Sequence, residues 1–105
     1  MIERARLPNR RFAETFTVQH GKERPETVEV TIGYFPPPNG AVGEVFISSP
    51  KVGSGMEAIA RDGAVLLSIA IQHGVPLETM RGAITREQDG SPSTIIGAVL
   101  DQLAK

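Results

Sequence analysis

At 105 residues, 40% of them hydrophobic and 22% charged, the chain is the size of one domain, long enough to bury roughly two-thirds of its unfolded surface and too short for two independent cores. Cysteine is absent, which excludes disulfides, thiolate-ligated zinc, iron–sulfur clusters and thiol nucleophiles. A formal net charge of −1 argues against general nucleic-acid binding, and no stretch approaches the ~18–20 apolar residues of a membrane span.

The charge is unevenly placed. Residues 1–25 hold six Lys/Arg against three Glu, and residues 26–105 hold five against nine. Residues 1–12 read as a basic arm, solvated and partly mobile, ahead of a single domain over residues 13–105. The first six residues lack the apolar core of a secretory leader, so the cytoplasm is the expected compartment.

Residues 15–20 alternate β-branched or aromatic with polar residues, and the Gly21 to Pro25 stretch then reads as a turn, which predicts a first strand. Residues 27–35 alternate again, with Val28, Val30 and Ile32 on one face and Thr27, Glu29 and Thr31 on the other. Pro36, Pro37 and Pro38 cannot donate ladder hydrogen bonds, and Asn39-Gly40 suits a tight turn, so the chain reverses into a third strand over residues 41–48. A polyproline recognition segment is the less favoured reading of the same prolines.

Ser54 and Glu57 have the spacing of a capping box and predict a helix start. Met56, Ile59, Ala60, Gly63, Leu67, Ala70 and Ile71 then recur at three- and four-residue spacing, the pattern expected of the face that packs on the sheet. Glu57, Arg61, Asp62, Ser68 and Gln72 fall at the other positions, and Asp62 reads as a solvated carboxylate. Gly74 suits the helix end, Pro76 opens a second helix to about Ile84, residues 86–92 form a polar loop, and Ile95, Ile96, Val99, Leu100 and Leu103 define a last helix. The expected fold class is α+β, a three-stranded antiparallel meander followed by a long helix and two shorter helices packed on one face.

Gly53, Ser54, Gly55 and Ala58 fit a G-x-G-x-x-A pattern at a helix start, where free amides favour an anion. No strand is predicted after this helix, so the parallel unit of a dinucleotide fold is missing. What remains is a phosphate or nucleotide perch built from Lys51, Gly53, Ser54 and Gly55 with help from Arg10 and Arg11, set against glycines that simply permit a sharp strand-to-helix turn. No Gly-Lys-Ser/Thr triplet exists to cradle a nucleotide triphosphate, and His20 and His73 fall on different elements without metal-ligand spacing. The residues therefore predict no catalytic site, no metal and no cofactor.

Several phrases together resemble the TSCPD domain, a module at the C-terminus of vitamin B12-dependent (class II) ribonucleotide reductases that also occurs in short stand-alone bacterial proteins. They are Arg6-Leu7-Pro8 and Thr15, Gly43-Glu44-Val45-Phe46, Lys51-Val52-Gly53-Ser54, the run from Ser68 through His73-Gly74-Val75-Pro76, and Ser91, Ile96-Gly97 and Leu100 near the end. Where the family's eponymous motif places Cys, Pro and Asp, this chain has Pro92, Ser93 and Thr94, so the metal or redox role implied for that cysteine does not carry over. The resemblance implies a non-catalytic accessory or regulatory module acting through protein contacts, with a second copy or a ribonucleotide reductase-type protein as partner; the alternative is a small-anion or nucleotide sensor.

Overall fold

Alternation of valine and isoleucine with threonine and glutamate produces three consecutive strands: β1 (Ala13–His20), β2 (Glu26–Tyr34) and β3 (Val42–Ser48). They form one antiparallel sheet in the order β1-β2-β3 in the computed structural model, which describes residues 3–23, 25–49 and 55–105. Three helices follow, α1 (Gly55–Gln72), α2 (Leu77–Ala83) and α3 (Ile95–Leu103), as the residue pattern predicts.

Register pairs Phe16 with Val30 and Val18 with Val28 across β1 and β2, and Ile32 with Val45 and Val30 with Ile47 across β2 and β3. Because side chains alternate along a strand, this stacks Phe16, Val18, Val28, Val30, Ile32, Val45 and Ile47 on one face. Thr15, Thr17, Thr31 and Phe46 occupy the other. Ala60, Ala64 and Leu67 of α1 and Ile95, Val99 and Leu100 of α3 close over the apolar face as a single core. Each buried Val, Leu or Ile contributes ~1.5–3 kcal/mol, which is how so short a chain offsets its conformational entropy.

The chain reverses where predicted, though over a five-residue proline loop rather than a two-residue tight turn, and α1 ends at its predicted glycine. At the proline loop Phe35 N–H donates to Ala41 C=O at 2.8 Å, Asn39 Oδ1 accepts from Ala41 N–H at 2.9 Å, and Gly40 takes φ +65°; the Pro37–Pro38 bond is cis. Gly74 ends α1 with φ +88°, its N–H donating to Ile71 C=O while Val75 N–H reaches back to Ala70 C=O. That pair of bonds is a Schellman closure, which needs a left-handed residue at Gly74. Ser54 lies outside the described residues, so the expected capping box does too.

Residues 3–12 are largely exposed, as expected of the arm, and hydrogen bonds join it to the domain: Ala5 N–H donates to Gln72 C=O at 2.8 Å, Arg4 donates to Gln72 Oε1, and Arg11 pairs with Glu44 while donating to Pro8 C=O at 2.7 Å. Two glycines make room for it. A Cβ on Gly43 would come within 2.9 Å of Leu7 Cδ2, and one on Gly33 would overlap the Glu44 side chain that meets Arg11.

Candidate interaction surface

The hydrogen-bond phase of the sheet decides which strand edges need partners. Tyr34 N–H donates to Phe12 C=O in the β1–β2 register. In an antiparallel ladder alternate residues exchange bonds, so Glu14, Phe16, Val18 and His20 point their amides at β2 while Ala13, Thr15, Thr17 and Gln19 point theirs outward. The same alternation carried through β2 turns the main-chain groups of Gly43 and Val45 away from the sheet on the β3 side.

α1 answers the β3 groups with polar side chains. Ser68 Oγ accepts from Val45 N–H at 2.8 Å and donates to Val45 C=O at 3.0 Å, and Gln72 Nε2 donates to Gly43 C=O at 2.9 Å. Ser68 and Gln72 are both buried, as is Glu57, whose carboxylate lies 3.6 Å from Arg61. The face of α1 predicted from apolar spacing is therefore corrected. Ala60 and Leu67 do pack inward, but they do so with Glu57, Ala64, Ser68 and Gln72, whereas Met56 and Ile59 turn out to solvent.

This rotation leaves a second apolar stripe uncovered. Met56 is 54% exposed, Ile59 67%, Val65 55% and Leu66 67%. Ile59, Asp62, Leu66 and half-buried Ile69 follow 3-4-3 spacing and so lie along one line of the helix about 15 Å long, with Asp62 between Ile59 and Leu66. Beside it, exposed Phe46 on the outer sheet face lines a shallow groove of about 370 Å³ with Arg61, Ala64 and Val65.

The residues of the anion perch are not brought together among the described residues. Lys51, Gly53 and Ser54 lie outside them, and Gly55 opens α1. Arg11 is engaged by Glu44, and the arm is bonded to Gln72 at the far end of α1, roughly 25 Å along the helix from Gly55. Arg10 is exposed on the same arm. His20 Nε2 lies 2.9 Å from Pro92 C=O at the end of β1, while His73 follows the last residue of α1. No group of three or more His, Asp or Glu side chains able to hold a metal occurs among the described residues.

One charged cluster was not legible in the spacing. Arg86 forks onto Asp101 with bonds of 2.8 and 3.0 Å, Arg81 reaches Asp101 at 3.0 Å and Glu78 at 2.8 Å, and Arg86 also donates to the carbonyls of Arg81 and Gly90. Together these tie α2, the hairpin loop after it and α3. The Arg86 hydrogen bonds, then those of Arg81, hold the Asp101 carboxyl well below the usual carboxylate range. All three Arg86 nitrogens, and Nε and Nη1 of Arg81, meet a neighbouring carboxylate or carbonyl, which marks a structural clamp.

A family model described as the TSCPD domain matches residues 3–105. The chain belongs to the TSCPD domain family. It is 36% identical over 83 residues to a vitamin B12-dependent ribonucleotide reductase of Agrobacterium fabrum (strain C58 / ATCC 33970), a match covering 79% of this chain and 6% of that relative. The chain thus spans a small fraction of the length of the curated relative it matches. No solved structure matches it.

Within this TSCPD domain, Pro92, Ser93 and Thr94 lead into α3. Pro92 C=O lies against His20, Ser93 N–H donates to Thr85 C=O at 3.1 Å, and Thr94 caps α3 by accepting from Gly97 N–H at 3.1 Å. Among the described residues no helix is long and apolar enough to cross a membrane.

Proposed function

We propose that this TSCPD domain is a non-catalytic accessory or regulatory module that acts by docking on a ribonucleotide reductase-type protein through the outer face of α1. The observation that carries this is the exposed pair Ile59 and Leu66, continued by half-buried Ile69 and flanked by exposed Met56 and Val65, on a helix whose inner face is already committed to the β3 edge. Contiguous exposed apolar side chains rimmed by polar residues mark interaction sites in soluble domains. The relative named as a reductase supports the choice of partner class, because the matching segment is a small part of a much longer chain there. Asp62, between Ile59 and Leu66, selects a partner surface that sets a basic side chain among apolar ones.

The test is titration of the full chain against a purified vitamin B12-dependent ribonucleotide reductase by calorimetry. Binding is expected, with Leu66→Asp and Ile59→Asp each weakening it about tenfold or more, as anchor residues at the centre of an interface do. Both positions are solvent-exposed, so the variants keep the fold. No heat of binding with the native chain, or equal affinity for native and variant chains, overturns the reading.

A further inference from the structure

The two edges of the sheet are treated differently. On β3 the Val45 N–H and C=O are met by Ser68 and the Gly43 C=O by Gln72, but nothing among the described residues is bonded to the outward N–H and C=O groups of Thr15, Thr17 and Gln19 on β1. β1 is eight residues long, contains neither proline nor lysine, and pairs with β2 without a bulge. Those are among the devices that ordinarily blunt an edge; the one carboxylate of β1, Glu14, sits near its start and accepts from Tyr34, so Thr15 to Gln19 remain a template for another strand. We propose that β1 pairs antiparallel with β1 of a second copy, giving a continuous six-stranded sheet with its two-fold axis at Thr17.

The residues of β1 select both the occupant and the register. Side chains directly opposite one another must share a face, which restricts a symmetric pairing to axes through a residue. With the axis at Thr17, Thr17 meets its own copy and Thr15 meets Gln19 of the second copy, the positions whose main-chain groups already point outward, for about six new hydrogen bonds. The intervening pairs are the close, non-hydrogen-bonded ones. They set half-buried Phe16 against buried Val18 of the second copy, an aromatic against a β-branched side chain, and exposed Glu14 against His20 of the second copy, a carboxylate acceptor against an imidazole. Moving the axis one residue to Phe16 places the Glu14 carboxylate opposite Val18 and loses the polar pairing. A second copy therefore complements β1 in main-chain hydrogen bonding and in side-chain pairing at once.

Closure follows from the other edge. In the six-stranded sheet both outer strands are copies of β3, each flanked by α1 with Val45 and the Gly43 carbonyl already bonded to Ser68 and Gln72, so the edge that pairs in β1 is used up and the assembly closes at two chains. The inference does not use the α1 surface, so it stands or falls apart from the docking reading; the dimer would carry two α1 stripes.

Sedimentation of the full chain across a concentration series, joined to amide hydrogen exchange by NMR, tests it. A dimer is expected, with the Thr15, Thr17 and Gln19 amides exchanging at least about tenfold more slowly in the dimer than in the diluted monomer. Thr17→Lys sets two ammonium groups face to face at the axis and is expected to weaken dimerisation about tenfold or more while leaving the far-UV spectrum unchanged, since Thr17 is solvent-exposed; Thr17→Ser retains the dimer. A strict monomer overturns the proposal. So does a dimer whose three amides exchange freely, or one that Leu66→Asp dissolves and Thr17→Lys does not.

Discussion

The β3 and β1 edges present the same chemical problem, a row of main-chain donors and acceptors with no strand beyond them, and this fold meets it in two ways. On β3 a helix laid alongside supplies a hydroxyl and an amide, so Val45 and Gly43 are bonded within the chain. On β1 the helix packed behind the strand, α3, contributes Ile95, Val99 and Leu100 to the core and leaves the edge groups of Thr15, Thr17 and Gln19 without such bonds. Ser68 and Gln72 therefore do for β3 what a further strand would do for β1. The comparison also explains the outer face of α1: once its polar positions are held inward at the edge, apolar positions are left facing out.

The sharpest way to break the comparison is to unmake the β3 cap. Ser68→Ala leaves Val45 N–H and C=O buried without partners and is expected to destabilise the fold by about 2–3 kcal/mol, read as a lower denaturation midpoint at unchanged slope. Gln72→Leu removes one bond to Gly43 and one to Arg4, and its expected cost is smaller, about 1–2 kcal/mol, together with faster exchange of the Ala5 amide as the arm loosens. A Ser68→Ala variant as stable as the native chain would show that the β3 edge needs no cap.

The smallest expected effect concerns β1, where Glu14 accepts from the hydroxyl of Tyr34, the chain's single tyrosine. That hydrogen bond, with burial and the Glu14 charge adding to it, pushes the phenol up to about 12. A group whose folded pKa is raised contributes stability that is complete below its unfolded value of about 10 and lost as pH rises toward 12. Absorbance titration of the phenolate is expected to show a midpoint near 12, moved down toward 10 by Glu14→Gln with little change in stability at neutral pH. An unshifted native midpoint would remove the contact, and with it the anchoring that presents Glu14 at the open edge.

Much of the fold was legible because its signals are local. Strand alternation, Asn39-Gly40, Gly74, and the apolar spacing of Ile95, Val99 and Leu100 each act within a few residues, and each element forms where its pattern predicts. The surface was read differently from sequence. Apolar spacing assigned Met56 and Ile59 inward and Ser68 and Gln72 outward, because a periodicity argument ranks residues by hydrophobicity alone. A strand edge reverses that ranking for any helix lying beside it, since a buried, unpaired amide costs more than an exposed isoleucine fails to contribute. Ser68 was visible within the run resembling the family, yet nothing in that run discloses Val45 as its partner.

The sequence by itself determined the order and kind of the elements, the apolar face of the sheet, the absence of thiol chemistry and the family. Only the tertiary structure decided the rotation of α1, the docking of the arm on Gln72 and Glu44, the Arg81–Asp101–Arg86 clamp, and which of two edges is closed. The division has one cause. Propensity, turn geometry and capping are set by neighbours along the chain, whereas the partner of a main-chain group at a sheet edge is set by whatever element the fold brings beside it, here 23 residues away for Val45 and Ser68.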